Sequence, residues 1–390
     1  MLKLYSKQIK TLTANSISEP LVVRLSSNHL LPIGLRRNDF FLITQSNIDK
    51  VPSGFKGYFI PEDLSLTLGE DFLADNVFTI PNDQEYLGDG DVIWFDPNSL
   101  NSRTIYRKNS KHNSLLVTER CNNYCLMCSQ PPREVNDSYI VEHILQAIPL
   151  MSHETNELGI TGGEPTLLGE DLIKIIKASK IYLPETSLHM LSNGRNFADL
   201  EFAKKVASVA HPDFMIGIPL YSDINLIHDY VVQANGAFDE TIRGILNLKS
   251  LNQLVELRVV IHKQTYARLP QLAEFITRNL LFIDHVALMG LEMTGFTRTN
   301  LDDLWIDPIE YQQELTEAVK IFARFKMNIS VYNHQLCLIN EEVKPFYRKS
   351  ISDWKNEYMP ECEPCSKKDE CGGFFSSAKF KYSEHITPFK

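Results

Sequence analysis

Residues 114–131 read SLLVTERCNNYCLMCSQP. The first five residues are an apolar, β-branched run that reads as a strand. The loop that follows carries Cys121, Cys125 and Cys128 in a C-x3-C-x2-C arrangement. Three thiolates on one short loop can hold three irons of a cubane cluster, and the fourth iron then has no protein ligand. Iron–sulfur cubanes ordinarily take four thiolates, so this loop suits a cluster whose open iron binds something else. Structural zinc is the plain alternative, but zinc prefers four closed ligands in C-x2-C pairs. No fourth ligand lies at a natural spacing here.

Downstream, strand-like and helix-like runs alternate. Strands are expected at 157–161, 187–192, 214–220, 255–262 and 285–290. Helices are expected at 138–151 (Ser138 as N-cap), 171–180, 200–210, 238–252, 269–279 and 308–325. This βα repetition implies an α/β fold, a parallel sheet curled into a partial or full barrel over residues 113–330. Reactive residues then belong where strands end and loops begin. Residues 1–112 differ. LVVRL, FFLIT, GYFI and DVIWF are short β-type runs between Asn, Gly, Pro and Asp, and GDGD at 88–91 reads as a hairpin turn. They are expected to form a β-rich accessory domain. Residues 331–390 have little regular pattern and hold the remaining four cysteines.

Several positions carry a family resemblance. The cysteine loop resembles the signature of the radical S-adenosylmethionine (SAM) superfamily. Gly162, Gly163, Glu164 and Pro165, after the second strand, are similar to the family's GGEP motif. Glycines there permit close backbone approach, and Glu164 offers acceptors. The resemblance implies that this stretch meets the SAM amino group. Ser192, Asn193 and Gly194 resemble the family's ribose-contacting turn, and Met289–Gly290 its backbone contact to adenine. Arg258 is implied to meet the SAM carboxylate; a barrel arginine also serves as a structural ion-pair partner. The family often has an aromatic residue beside the third cysteine, where this chain has Met127.

The second group is Cys362-x2-Cys365-x5-Cys371, with Cys337 as the remaining cysteine. Four thiolates close a site, either an auxiliary [4Fe–4S] cluster or structural zinc. The tail elements YNHQLC, SISDWKNEY at 350–358, CGGFF and ITPFK, with the β-rich N-terminal part, resemble the C-type maturase of the His-Xaa-Ser system. The stretch 218–236 is similar to substrate-side loops of peptide-modifying members. The resemblance implies a [4Fe–4S] cluster that cleaves SAM reductively to a 5′-deoxyadenosyl radical. It implies as substrate a ribosomally made His-Xaa-Ser repeat peptide, and as partners another radical SAM maturase and an electron donor such as flavodoxin or ferredoxin. A small-molecule or RNA substrate is the competing enzyme reading, and a zinc- or cluster-binding interaction protein the non-enzyme one. No catalytic acid or base is assigned; Tyr221, Asp223, His228 and Asp229 occupy a plausible loop.

Of the 390 residues, 43% are hydrophobic and 23% charged, as for a globular chain with a core. The formal net charge of −10 offers no broad basic surface to nucleic acid. No apolar run reaches membrane-spanning length, and the N-terminal lysines precede no signal-type core. Clustered cysteines without these features point to the cytoplasm.

Overall fold

The computed structural model describes residues 4–67, 74–349 and 356–390. Among them the strands form two seven-stranded sheets. The first contains β1 (Tyr5–Ser6), β2 (Leu21–Ser26), β3 (Phe40–Leu42), β4 (Gly57–Pro61), β5 (Val77–Ile80), β6 (Val92–Asp96) and β7 (Asn101–Tyr106), in the order β1-β7-β6-β2-β3-β4-β5. The β2–β6, β6–β7 and β1–β7 pairs are antiparallel, whereas β2–β3, β3–β4 and β4–β5 are parallel. Phe40, Phe59, Phe78 and Phe95 come from four of these strands and pack together, with Phe78 and Phe95 edge-to-face at 4.8 Å. The GDGD turn leads into β6 but is not a hairpin. No strand runs directly into it, and the hairpin is β6–β7, one connection later.

The second sheet contains β8 (Asn113–Leu116), β9 (Glu157–Thr161), β10 (Ser187–Leu191), β11 (Phe214–Pro219), β12 (Leu254–Ile261), β13 (His285–Gly290) and β14 (Ile329–Tyr332). They lie in sequential order, and every pair is parallel. β8 and β14 are its two edges, so the barrel is partial, as expected of this α/β fold. The position 330, expected to end the βα region, falls inside β14.

Helices Tyr139–Ala147, Glu170–Tyr182, Leu200–Ala207, Ala237–Ser250, Leu269–Asn279 and Gln312–Arg324 make the crossovers. Each is amphipathic. In Glu170–Tyr182, Leu172, Ile173, Ile175, Ile176 and Ser179 are buried, the spacing of one helical face. They pack against Leu158, Ile160, Leu188 and Met190 on the sheet. Each such side chain contributes about 1.5–3 kcal/mol of burial. The opposite, concave face carries polar groups, among them His189, Glu256, Arg258 and His285.

Local boundaries differ from the sequence reading for physical reasons. The first crossover helix stops at Ala147 and tightens to a 3-10 turn at Ile148–Leu150, where Pro149 has no N–H to give. Ser138 precedes this helix, but its hydroxyl bonds Asn136 and not a helix N–H. The last crossover helix starts at Gln312 because residues 308–311 form a turn. The stretch 218–236 contains a helix, Asn225–Val232.

The two sheets meet at the first crossover. Trp94 stacks on His143 at 5.2 Å, and the buried Tyr106 hydroxyl meets Thr155 at 2.7 Å. Tyr106→Phe is expected to lower the urea midpoint by an amount worth about 1 kcal/mol. An unchanged midpoint would show that this bond does not tie the sheets together.

Candidate metal and cofactor site

The cysteine loop leaves the C-terminal end of β8 and is gripped from three sides before any ligand is considered. At its root sits Asp137, 2% exposed. Its Oδ2 accepts the Thr118 hydroxyl at 2.7 Å and the Glu119 N–H at 2.6 Å, and Oδ1 receives Arg120 Nε at 3.2 Å. Burial pushes the Asp137 pKa up, but the Glu119 N–H, the Thr118 hydroxyl and Arg120 together hold it below the ordinary carboxylate range.

The second grip comes from residues 162–164. The Gly163 N–H donates to Thr118 O and the Glu164 N–H to Arg120 O, both at 2.8 Å. A Cβ on Gly162 would lie 2.4 Å from Thr118 O, and one on Gly163 2.1 Å from Arg120 O. The two glycines are therefore required by approach to the root of the cysteine loop itself.

The third grip holds the middle of the loop. Tyr124 N–H and Leu126 N–H donate to Val232 O and Val231 O, at the end of helix Asn225–Val232. Arg195 Nη1 reaches Asn122 O and Asn123 Oδ1, each at 2.7 Å, and Asn193 Nδ2 reaches Asn122 Oδ1 at 2.6 Å. Three successive carbonyls also receive donors from one segment: Leu126 O from Asn300 Nδ2, Met127 O from the Thr297 hydroxyl and Cys128 O from Phe296 N–H. Gly295, at φ +55°, lets that segment approach, since a Cβ there would lie 2.2 Å from Cys128 O.

The sulfurs are partly buried as free thiols. Burial pushes Cys121 up to about 11; the Asn123 N–H opposes this, and Glu164 and Cys128 add to it. Burial, and after it the other two sulfurs, pushes Cys125 up further. The Cys128 thiol donates to Gln130 O at 3.0 Å. Met127 turns inward against Tyr221, Val231, Val232 and Leu304.

Glu164 is fully buried, which raises its pKa against the hydrogen bonds it accepts. Oε1 accepts the Thr166 N–H at 3.0 Å, its hydroxyl at 2.5 Å and the Ser192 hydroxyl at 2.8 Å; Oε2 accepts the Asn193 N–H at 2.6 Å. This carboxylate therefore joins the turn after β9 to the turn after β10. Ser192 also accepts the Gly194 N–H, and Asn193 Oδ1 accepts the Arg195 N–H. Pro165 is buried and opens the 3-10 turn Pro165–Leu168.

Arg258 projects from the concave face of β12. Its Nη1 pairs with Glu256 Oε1 at 2.7 Å, and Nη2 points to Met289 Sδ on β13 at 3.2 Å. Glu256 also meets His285 at 2.7 Å, and His285 meets Ser330 at 2.9 Å. Burial raises the Glu256 pKa, but His189, His285 and Arg258 outweigh it and keep the carboxyl ionised. Gly217 leaves space for this group, since a Cβ there would lie 3.0 Å from Arg258 Cδ and 3.1 Å from His189 Nε2.

In the C-terminal part, Cys337, Cys362, Cys365 and Cys371 line one small cavity with Phe374 and residues 386–389. The Tyr358 hydroxyl donates to Cys371 O at 2.8 Å, and the Gly373 N–H points to Cys371 Sγ at 3.4 Å. His334 has both ring nitrogens engaged, by Tyr311 and by Tyr332 O, and burial lowers its pKa to about 4. Residues 350–355 of the tail pattern lie outside the described residues. Among the described residues, no group of three or more His, Cys, Asp or Glu side chains converges to hold a metal ion. A cubane asks for a different arrangement, because each thiolate binds a separate corner.

Residues 115–276 match the family model described as the radical SAM superfamily. Over this span the chain is similar to a radical SAM domain. The matched span includes the three-cysteine loop, Gly162–Pro165, Ser192, Asn193 and Arg258; Met289 and the other four cysteines lie beyond it. No curated protein matches the chain in sequence. Similar solved structures include SuiB of Streptococcus suis bound to S-adenosylmethionine, 16% identical with a TM-score of 0.45 over 57% of this chain and 51% of that one. They also include anSMEcpe with bound AdoMet and the Cp18Cys peptide, 15% identical with a TM-score of 0.43 over 55% and 62%. TsrM from Kitasatospora setae, with cobalamin and a [4Fe–4S] cluster, is 13% identical with a TM-score of 0.35 over 45% and 36%. The aligned part spans about half the length of SuiB. Among the described residues, no helix is long and apolar enough to cross a membrane.

The sequence reading missed Asp137, Arg195, Thr297 and Asn300. Only Asp137 had a local signal, an acidic residue just before a helix. Glu164→Gln tests the brace most sharply. Each Glu164 oxygen faces a backbone N–H that cannot rotate away, so the amide must set a donor against a donor. The metal-free variant is expected to lose about 1–3 kcal/mol in thermal unfolding. Wild-type stability would mean that the carboxylate is not the joint.

Proposed function

We propose that this chain is a radical SAM enzyme that modifies a ribosomally made peptide. The observation that carries the proposal is the pre-formed C-x3-C-x2-C loop at the strand ends, beside the turns at 162–165 and 192–194. Cys121, Cys125 and Cys128 would hold a [4Fe–4S] cluster with one open iron. When bound, the cluster supplies the electron that cleaves SAM reductively.

The chain's own residues have separable tasks. The clamps on residues 118–128 fix the three sulfurs, so loading costs little loop ordering. The backbone of Gly162, Gly163, Glu164 and Pro165 is assigned to the SAM amino group. Ser192 and Asn193 enter as the turn facing the ribose, their side chains being engaged by Glu164, Gly194, Asn122 and Arg195. Arg258 has five N–H donors, and those beyond Glu256 and Met289 can serve the SAM carboxylate. Met289 lies beside it and is assigned to adenine. Burial around Met127 and Tyr221 keeps water from the loop's inner side.

The substrate proposed from the tail pattern is a His-Xaa-Ser repeat peptide, with a second radical SAM maturase as partner and a flavodoxin or ferredoxin as electron donor. Cys337, Cys362, Cys365 and Cys371 are proposed to hold an auxiliary [4Fe–4S] cluster, a reading supported by their shared cavity.

Replacing Cys121, Cys125 and Cys128 by Ala is expected to abolish 5′-deoxyadenosine formation from SAM under reducing, anaerobic conditions. Persistent formation would remove the assignment. Reconstituted protein is expected to hold about eight irons per chain, falling to about four in C362A/C365A. About one zinc per chain in place of that second set would make the C-terminal site structural. Mass spectrometry of a His-Xaa-Ser peptide incubated with SAM and reductant tests the substrate, and an unchanged mass would count against it.

A further inference from the structure

Among the described residues Tyr58, Tyr106, Tyr221, Tyr311 and Tyr347 are the buried tyrosines. Four of them set the hydroxyl on a protein partner. Tyr58 donates to Pro52 O and Tyr347 to His334 O, while Tyr106 meets Thr155 and Tyr311 meets His334. A buried phenol ordinarily finds such a partner. Tyr221 is the exception. Its backbone N–H donates to His228 Nδ1 at 3.3 Å, but among the described residues no hydrogen bond reaches its hydroxyl. The residue is 7% exposed, and its hydroxyl is not sealed inside the core.

Strand alternation shows which space the hydroxyl meets. Ile216, Ile218 and Leu220 belong to the core between sheet and helices. Gly217, Pro219 and Tyr221 therefore face the concave side. Gly217 confirms this, since a Cβ there would meet Arg258 and His189. Pro219 pairs with Arg258 in the register, and Leu220 N–H donates to Arg258 O at 3.0 Å. Tyr221 is thus the next concave-side residue beyond the level of Arg258, toward the strand ends. There it packs with Met127 of the cysteine loop.

Its surroundings keep the phenol a donor. Burial pushes the Tyr221 pKa well up, Cys125 and Cys128 add to this, and Arg258 opposes it. The rings of His228 and His262 flank it at 5.8 and 6.1 Å, and burial lowers both of their pKa values to about 4. Neutral imidazoles hold the ring without offering a charge. Two kinds of donor then face one space beside the cysteine loop: the phenolic O–H, and the Arg258 N–H groups beyond Glu256 and Met289. A phenol and a guanidinium that converge suit one shared carboxylate. An unpaired buried donor is a cost that such an acceptor removes.

We infer that the Tyr221 hydroxyl donates a hydrogen bond to the SAM carboxylate, sharing that group with Arg258 on the neighbouring strand. The inference rests on the assignment of Arg258 to the same carboxylate.

The test is anaerobic equilibrium dialysis with the full-length, cluster-reconstituted protein, without reductant so that no cleavage occurs. The two ligands are SAM and decarboxylated SAM, which keeps the adenosine, sulfonium and amine. Y221F is expected to weaken SAM binding about tenfold and to leave decarboxylated SAM within twofold of wild type. Retained binding of the second ligand is a result that a misfolded variant cannot give. R258A is expected to show the same selectivity. Unchanged SAM affinity in Y221F, or equal weakening of both ligands, would overturn the inference. If R258A is selective and Y221F is not, the Arg258 assignment stands and Tyr221 has no part in it. If R258A weakens both ligands equally or neither, the Arg258 assignment fails, and this inference fails with it.

Discussion

The site depends on a buried carboxylate. Glu164 has no contact with water, yet it accepts four hydrogen bonds from three residues on two loops. An unpaired charge at that depth would cost several kcal/mol, so the carboxylate holds its donors where they are. Through Asn193 and Asn122 the same network reaches the cysteine loop. The turns after β9 and β10 and the loop after β8 are thus joined at one end of adjacent parallel strands. Asp137 repeats the device at the root of the loop, with hydrogen bonds from three consecutive residues.

Segment 290–305 gives the structure its other organising feature. On one side it donates hydrogen bonds to the carbonyls of Leu126, Met127 and Cys128. On the other, Met293 and Trp305 pack with Phe374, Met359 and Cys362 of the C-terminal part. The two cysteine sets therefore share a single intervening layer, and each is positioned against it. The concave face of the barrel carries Glu256, Arg258, His189 and His285, whose charges compensate one another.

Much of this architecture was legible in the chain. The βα alternation predicted a partial parallel barrel, because amphipathic helices and apolar strands announce themselves by period. Element ends were less legible. Pro149 cut one helix short, and Pro308 began a turn before its helix, which periodicity does not encode. Helix Asn225–Val232 was hidden in a stretch whose polar residues read as loop. The parallel half of the first sheet was also unforeseen, since short strands carry no mark of direction.

By itself the sequence determined the chemistry on offer: three thiols on one loop, four in the tail, and a glycine pair after the second strand. Those are covalent facts about residue type and spacing. Tertiary structure alone decided what each group does with its neighbours. Gly162 and Gly163 serve approach to residues 118–120, Glu164 turns inward as a brace, and Arg258 meets Glu256 across the concave face. Arg195, Thr297 and Asn300 reach the loop from 70 or more residues away. Hydrogen bonds over such separations exist only once the sheet has brought its strand ends together, so no local pattern can announce them.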